Sequence, residues 1–540
     1  MSFFDDASLA FLPSGAAGKD GKAYSIKPTD GTGDFTFSRG SNLAATRVNA
    51  SGLIEKGREN LLTYSNNFSN AAWSKSNISV TSGQSGYDGS SDAWLLSKSA
   101  ANGTLLRFQS LNSVQTISFY AKANTLDWIR LRIGTSGGNA YFDLANGVVG
   151  SSSGVSSSIE SVGSGWYRCS VTDSYSSDRY RIYPADGNND TSGSSGSIYI
   201  QDSQLEIGLA ATDYIESGAS TGKAGLLEDE PRFDYSGGAT CPSLLLEPSR
   251  TNNILQTEYL EGLSITSGGY SFTANDTTSP DGSTNATKLQ IDSTGQQYIG
   301  RSFTLAGDRV ISAFVKYNNS ATRFYLGSFT TTNDVANAVF DIENGTILSE
   351  TTGSTNNKIL EEAAIEDYGN GWYRCWVHIS GTSGVTAFGI SDTDSASLIP
   401  QLTTTGIHLH AWGFQCEAGS YPTSYIPNHS GGSVTRGVEK PSINQFENVF
   451  DSSGDYTLFF EIERLAEETN LQIIYISGPN GYFRLDAQSN GRIVYVIYDG
   501  ISAVTTATSA NNQFAVGASS KILYKQEGSV GKCFVNGQQI

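Results

Sequence analysis

The chain has 540 residues, of which 16% are charged and 38% apolar, with 59 glycines, 12 prolines and a formal charge of −19. That length fits three or four domains of roughly 100–200 residues each, and the composition is that of a folded chain rather than a disordered one. The acidity argues against nucleic acid as a partner, since a duplex is itself a dense row of negative charge. No Lys/Arg run interrupts it, which leaves neutral or cationic partners open.

The start, Met1-Ser2-Phe3-Phe4-Asp5-Asp6, has neither a basic segment nor an apolar one, and no stretch of about 18 apolar residues follows. This predicts a protein made in a cytoplasm, without a standard export signal and without membrane insertion. Residues 1–50 are rich in turns, with Pro28–Asp34 leading into Phe35-Thr36-Phe37, whose alternation predicts a strand. A first module is expected at 51–218 and a linker at 219–239 containing Glu228-Asp229-Glu230-Pro231. A second module follows at 240–430, another linker at 431–450, and a third segment at 451–540.

The second module repeats the first. Leu53-Ile54-Glu55 with Arg58 and Asn60 returns as Leu245-Leu246-Glu247 with Arg250 and Asn252, and Phe142-Asp143 with Asn146-Gly147 as Phe340-Asp341 with Asn344-Gly345. Gly165-Trp166-Tyr167-Arg168-Cys169 returns as Gly371-Trp372-Tyr373-Arg374-Cys375, and Gln204-Leu205-Glu206 with Tyr214-Ile215 as Gln415-Cys416-Glu417 with Tyr425-Ile426. A tandem duplication in fixed order is the mark of a beaded binding or structural protein.

Within each module the apolar spacing is two, as in Ile117–Lys122 and Ile311–Lys316, with Gly, Asn and Asp between the runs. The fold class this predicts is all-β, in tandem antiparallel β-sandwich or jelly-roll modules. One helical turn is expected at Arg464–Glu468. The third segment carries strand runs at Tyr456–Ile462, Leu471–Ile476, Arg492–Tyr498 and Ile522–Lys525. It ends on Cys533-Phe534-Val535-Asn536-Gly537, a hairpin turn whose return strand is barely begun, so either another chain completes this domain or, the favoured expectation, the sequence is a fragment of a longer one. Five cysteines without C-x-x-C spacing predict neither a zinc site nor a disulfide framework, and Cys169 and Cys375 share one strand position as expected core residues.

On their strand Trp372, Arg374 and Trp376 share one face, and Tyr373, Cys375 and Val377 the other. If the second face is core, the first sets two indole rings beside a guanidinium, a strip suited to sugar C–H faces and hydroxyls. The alternative is packing between sheets or under a loop. The first copy keeps Trp166 and Arg168 but has Ser170 for the second Trp. Trp73, Trp94, Trp128 and Trp412 are expected in cores.

Asp186-Gly187-Asn188-Asn189-Asp190 and Asp392-Thr393-Asp394 occupy similar positions in the two modules. They offer oxygens for Ca²⁺, although Asp and Asn are also ordinary turn residues. His408 and His410 share a strand face and could seed a metal site, with no further His converging on them. No nucleophile elbow, phosphate loop, H-E-x-x-H or dinucleotide fingerprint is present, so no enzyme activity and no cofactor are expected.

Several blocks resemble modules of fibre and spike proteins of tailed bacteriophages: Arg58–Leu62 with Asn66–Trp73, Leu244–Asn252, the Gly-Trp-Tyr-Arg and Gln-x-Glu blocks, and Tyr421–Ile426. Ala211 departs from the pattern where the second module has Pro422. The segment from 451 resembles a concanavalin-like (LamG-type) jelly roll. The resemblance implies a virion surface protein, a homotrimer attached to other virion proteins through its N-terminal segment, with carbohydrate-binding-like folds contacting host cell-surface polysaccharide. The class alternative is a purely structural decoration or spacer protein, and a polysaccharide-degrading tailspike is a third reading. A binding module should expose the Trp372/Trp376 face, whereas a spacer should bury it.

Overall fold

In a computed structural model the described residues are 6–540, excepting 14–17, 20–21, 41–42, 135–137, 174–176, 263–268, 304, 332–333, 354–356, 397–400, 430, 444–454, 466–470, 479–480, 499–502 and 528–529. The first five residues, Ser430, residues 444–450 of the linker expected at 431–450 and the end of the helical turn expected at Arg464–Glu468 lie outside them. About 56% of the chain is strand and 2% helix, so the fold is all-β. Among the described residues no helix is long and apolar enough to cross a membrane.

The chain divides into two compact units. The smaller comprises Met1–Phe11, Ser25–Asp34 and Ile443–Ile540. Its two four-stranded sheets run Tyr456–Glu463, Ser519–Glu527, Val530–Val535, Gln538–Gln539 and Leu471–Gly478, Gly481–Ala487, Ile493–Tyr498, Ala503–Thr508. They share a core that includes Leu485, Ile493, Phe514, Ile522, Tyr524 and Val535.

The larger unit, Leu12–Tyr24 and Phe35–Ser442, holds both repeats. In the first repeat an outer sheet is ordered Val148–Ser153, Asn139–Asp143, Trp128–Ile133, Ser177–Ala185, Thr104–Leu111, Trp73–Ser76. Its partner, here the pin sheet, is ordered Ser156–Gly163, Trp166–Asp173, Gln115–Ala123, Gly196–Ile207, Ala93–Lys98, Ile78–Gln84. The second repeat has the same plan. Its outer sheet is Ile299–Phe303, Gly384–Ser391, Arg323–Thr331, Asp334–Asp341, Thr346–Thr352, and its pin sheet runs from Tyr270–Thr277 through Ala286–Ile291, His408–Ala418, Arg309–Lys316 and Trp372–Gly381 to Lys358–Asp367. Alternation drives each sandwich: Ile129, Leu131, Ile133, Tyr180 and Ile182 turn inward to meet Ile117, Phe119, Cys169 and Val171.

The repeated residues are structural pins. The Asn60 amide donates to the Ser203 and Ile215 carbonyls (3.2 and 2.9 Å) and accepts from the N–H of Leu62 and Leu205 (3.1 Å each). Asn252 makes the same four bonds with Phe414, Ile426, Ile254 and Cys416 at 2.9–3.2 Å. The Gln-x-Glu blocks clamp the closing segment of each repeat. Gln204 accepts from Ile215 N at 2.6 Å and Gln415 from Ile426 N at 2.7 Å, while Glu206 and Glu417 accept from Thr212 N and Thr423 N at 3.0 and 2.8 Å. Gly147 and Gly345, at φ +66° and +67°, turn beneath the rings of Tyr167 and Tyr373, where a Cβ would sit 2.5–2.8 Å from the ring. Asn60→Ala removes four bonds to buried backbone groups and is expected to cost about 2 kcal/mol, read as a shift in the urea midpoint at unchanged slope.

The hairpin of Thr46–Val48 and Ile54–Lys56, which leads into the first repeat, is seated on the second. Ile54 N donates to Pro280 O at 2.9 Å, and Thr46 Oγ1 to Tyr425 O at 2.6 Å. Ile54 packs among Phe314, Trp372, Trp412 and Tyr425. The two repeats are therefore interlocked rather than strung as separate beads.

Candidate functional site

The Trp/Arg strip is the surface to which the sequence points. Tyr373, Cys375 and Val377 do face the core of the second repeat, but the opposite face is covered too. Trp372 is 2% exposed, Arg374 3%, Trp376 7% and Trp166 1%. Trp372 Nε1 donates to Thr278 O at 3.1 Å, Trp376 Nε1 to Glu366 Oε1 at 2.8 Å, and Trp166 packs against Ala93 and Tyr120. Arg374 Nη2 reaches Ser312 Oγ at 3.1 Å and Thr423 O at 2.8 Å, and Arg168 Nη2 reaches Ser118 Oγ at 3.1 Å and Thr212 O. This corrects their reading as an open sugar strip: Trp372, Arg374, Trp376 and Trp166 are packing and pinning residues, with Ile54 of the leading hairpin packed on Trp372 and the closing segment bonded to Arg374.

Arg168 alone of the five is half-buried, and it lines a cleft of about 820 Å³ between the repeats. Ser156, Ser158, Ser170 and Thr172 form a wall of hydroxyls there. Ser158 and Ser170 already bond each other at 2.7 Å, and Thr172 bonds Thr116 at 2.8 Å.

The loops considered for Ca²⁺ use their carboxylates locally. Asp186 pairs with Lys98 and accepts from Gly193 N at 2.8 Å; Asp190 caps Ser192 N at 2.8 Å. Asp392 accepts from Thr403 N at 2.6 Å, and Asp394 pairs with Arg323. His410 Nε2 lies 2.7 Å from Asp276 Oδ2, and His408 Nδ1 3.2 Å from Gly406 O. Among the described residues no three His, Cys, Asp or Glu side chains group as a metal site would require.

The structure assembles a different site, on the solvent side of the first repeat's outer sheet. Since Ile129, Leu131, Tyr180 and Ile182 point inward, Trp128, Arg130 and Arg132 on one strand and Arg179, Arg181 and Tyr183 on its neighbour point outward. Arg132 lies directly opposite Arg181, and Arg130 opposite Tyr183. The Arg130 guanidinium sits 5.3 and 5.2 Å from the centres of the Tyr141 and Tyr183 rings. Arg179 lies 5.4 Å over Phe108, which is 55% exposed, and is paired with Asp178. Arg181 Nη1 donates to Gly134 O at 2.7 Å. The indole of Trp128 spreads over Gly150, where a Cβ would come within 2.5 Å of the ring.

Four half-buried arginines on adjacent strands thus make a basic, aromatic-edged face on a chain of net charge −19. Linear inspection finds no Lys/Arg run, and the sheet corrects that reading by joining two separated R-x-R pairs. The signal was present: alternate residues of a strand share a face, so Arg130-Leu131-Arg132 and Arg179-Tyr180-Arg181 each place two guanidinium groups together.

The second repeat uses the equivalent face differently. By strand register Arg130, Arg132, Arg179 and Arg181 correspond to Tyr325, Gly327, Val385 and Ala387. There Tyr325, Phe329, Val335, Val339 and Ala387 form a small apolar cluster closed by Ala396. Asn337 Nδ2 donates to Ala396 O at 3.4 Å, and Arg323 pairs with Asp394, so the segment after Ser391 lies across the sheet. The matching connection in the first repeat, residues 186–195 against 392–407, is shorter. No protein-family model matches the chain, and no curated protein sequence is significantly similar to it.

Proposed function

We propose that this chain is part of a surface fibre or spike of a tailed bacteriophage, and that it contacts host-surface glycan through the outer sheet of its first repeat. The observation that supports this is the contrast between duplicates: one copy lines that sheet with half-buried Arg and Trp side chains and the exposed Phe108, while the other seals it with apolar side chains. The reading is of binding without turnover. Its virion setting, homotrimeric assembly and attachment through the N-terminal segment rest on the resemblance of the sequence blocks.

A purely structural spacer is the second reading. It is favoured by the burial of Trp372 and Trp376 and by the buried ion pairs that lock the repeats together. The two separate on an array of purified bacterial surface polysaccharides. Saturable binding by the folded protein, reduced in Arg130→Tyr (the residue of the second repeat), is the expected result. Absence of binding across the array would favour the spacer.

A further inference from the structure

We propose that the side chains of Lys56 and Asp281 become joined by an amide bond, formed by the folded protein itself with Glu258 carrying the protons. The three groups meet from distant parts of the chain. Lys56 Nζ lies 2.7 Å from Asp281 Oδ2, and 2.7 and 2.9 Å from the two oxygens of Glu258. The Glu258 and Asp281 side chains are 1% and 3% exposed and that of Lys56 14%, so bulk water competes little with the amine. The other Asp281 oxygen, Oδ1, accepts from Ser283 N and Ser279 Oγ at 2.8 Å each. Two donors on one carboxyl oxygen, with an amine against the other, is the arrangement acyl transfer needs. Nothing in the fold requires it. The first repeat builds the same turn, with Ser90 N donating to Asp88 Oδ1 at 3.0 Å, and the same anchor, Ser65 to Tyr214 where the second repeat has Thr257 to Tyr425. It has Asn66 where the second has Glu258, and its Asp88 is met by the Gln201 amide at 3.3 Å, not by a lysine.

The chemistry balances without an outside reagent. A proton passes from the Lys56 ammonium to Asp281 Oδ2 along their 2.7 Å contact, leaving a neutral amine beside a neutral carboxyl. The Nζ lone pair attacks Cγ, and the charge developing on Oδ1 falls to the Ser283 N–H and the Ser279 hydroxyl. Glu258 takes a proton from Nζ and delivers it to the departing Oδ2 hydroxyl, which leaves as water. One C–N bond forms, one C–O bond breaks, and Glu258 ends as the carboxylate it began as. Burial opposes the charge on Lys56 while Asp281 and Glu258 favour it, so the ion pairs are the state of the freshly folded chain and the bond closes slowly. Proximity drives the step: groups held in contact react as though at about 10⁵–10⁸ M, which outweighs the unfavourable condensation of free amine and acid in water. Lys56 and Asp281 both line the cleft between the repeats, which gives the water an exit. Lys56 opens the first repeat and Asp281 lies in the second, so the bond closes the whole first repeat into a covalent ring and makes the interlock permanent.

The test is the intact mass of the full chain, fresh and after prolonged incubation of the folded protein at neutral pH, with tryptic mapping to locate the linkage. The expected result is a mass below that of the sequence by one water, and a branched peptide that joins the Lys56 and Asp281 segments without cleavage after Lys56. Lys56→Arg keeps a cation between the two carboxylates, but its guanidinium stays charged and does not condense. Glu258→Gln removes the proton carrier. Both variants should keep the full mass, and tryptophan fluorescence shows whether each is folded. A wild-type chain still at full mass after incubation overturns the bond, whatever the variants do. A water loss that persists in Lys56→Arg and reverts in mild alkali marks a cyclic imide at Asp281-Gly282, and overturns it as well. The branched peptide formed to the same extent in Glu258→Gln overturns the role given to Glu258.

Discussion

Lys56→Met is expected to destabilise the larger unit by about 3–5 kcal/mol, because it strands two buried carboxylates. Lys56 comes from the leading hairpin, yet its Nζ lies 2.7 Å from Glu258 Oε1 and 2.7 Å from Asp281 Oδ2, both in the second repeat. The Lys56 side chain is 14% exposed, and those of Glu258 and Asp281 1% and 3%. The ammonium also stands 5.6 Å over the Trp412 ring. Burial works against its charge, but Asp281 and Glu258 outweigh burial and raise the lysine above its usual range. Burial likewise opposes ionisation of Glu258, and Lys56 together with His429 more than offsets it, holding the carboxyl well below the carboxylate norm. Methionine keeps the apolar stem and removes the charge, so the loss reads the ion pairs rather than packing. Lys56→Met/Glu258→Gln/Asp281→Asn should recover much of it, since neutral groups cost far less to bury. All seven tryptophans lie between Trp73 and Trp412, so urea unfolding followed by tryptophan fluorescence reports on this unit alone. A loss under about 1 kcal/mol, the worth of an exposed pair, would contradict a buried interlock.

Glu247→Gln should be comparably severe, at about 3–5 kcal/mol. Three arginines gather where the chain leaves the second repeat. Arg232 Nη1 and Arg436 Nη1 lie 2.8 and 2.9 Å from Glu247 Oε2, while Glu439 Oε1 takes Arg232 Nε at 2.7 Å and Arg39 Nη1 at 3.4 Å. Ser424 adds N–H and O–H donors to Glu247 at 2.8 and 2.7 Å. Removing Glu247 would leave three buried guanidinium groups facing one carboxylate. Burial pushes the Glu247 carboxyl up, but Arg436 and then Arg232 more than offset it and bring it from 4.5 to about 2. A lowered folded value means that its contribution is complete above pH 4.5 and is lost as pH falls from 4.5 towards 2. A shift of that size corresponds to about 3 kcal/mol at neutral pH. Stability of the Gln variant should therefore fall less steeply than wild type between pH 4.5 and 2, and parallel curves would contradict the assignment.

The all-β class was legible because its signal is local: alternating Ile117–Lys122 and Ile311–Lys316 can only turn one face inward as strands. The duplication was legible for the same reason, since Asn60, Arg168 and Gln204 each hold one backbone geometry and recur wherever that geometry does. Their role was harder to read. Trp372 and Trp376 look like a platform because strand alternation says which side a residue faces, not whether a second layer covers that side. The covering elements come from far away in sequence, with Ile54 and Lys56 crossing from the opening of the first repeat. The basic face was missed for the opposite reason: its two halves are separated by the Asn139–Asp143, Val148–Ser153, Ser156–Gly163 and Trp166–Asp173 strands, and only the Arg132–Arg181 register joins them. The departures between copies pointed to it better than the shared motifs, which are all used in holding the sandwich together.

Hydrogen exchange of the full chain with and without a saturating bacterial surface polysaccharide that it binds on the array tests the central claim most directly. Slowed exchange confined to Trp128–Ile133 and Ser177–Ala185 is the expected footprint. Protection centred on Trp372–Gly381, or no protection under conditions where binding is measured, would contradict the open sheet of the first repeat as the contact surface.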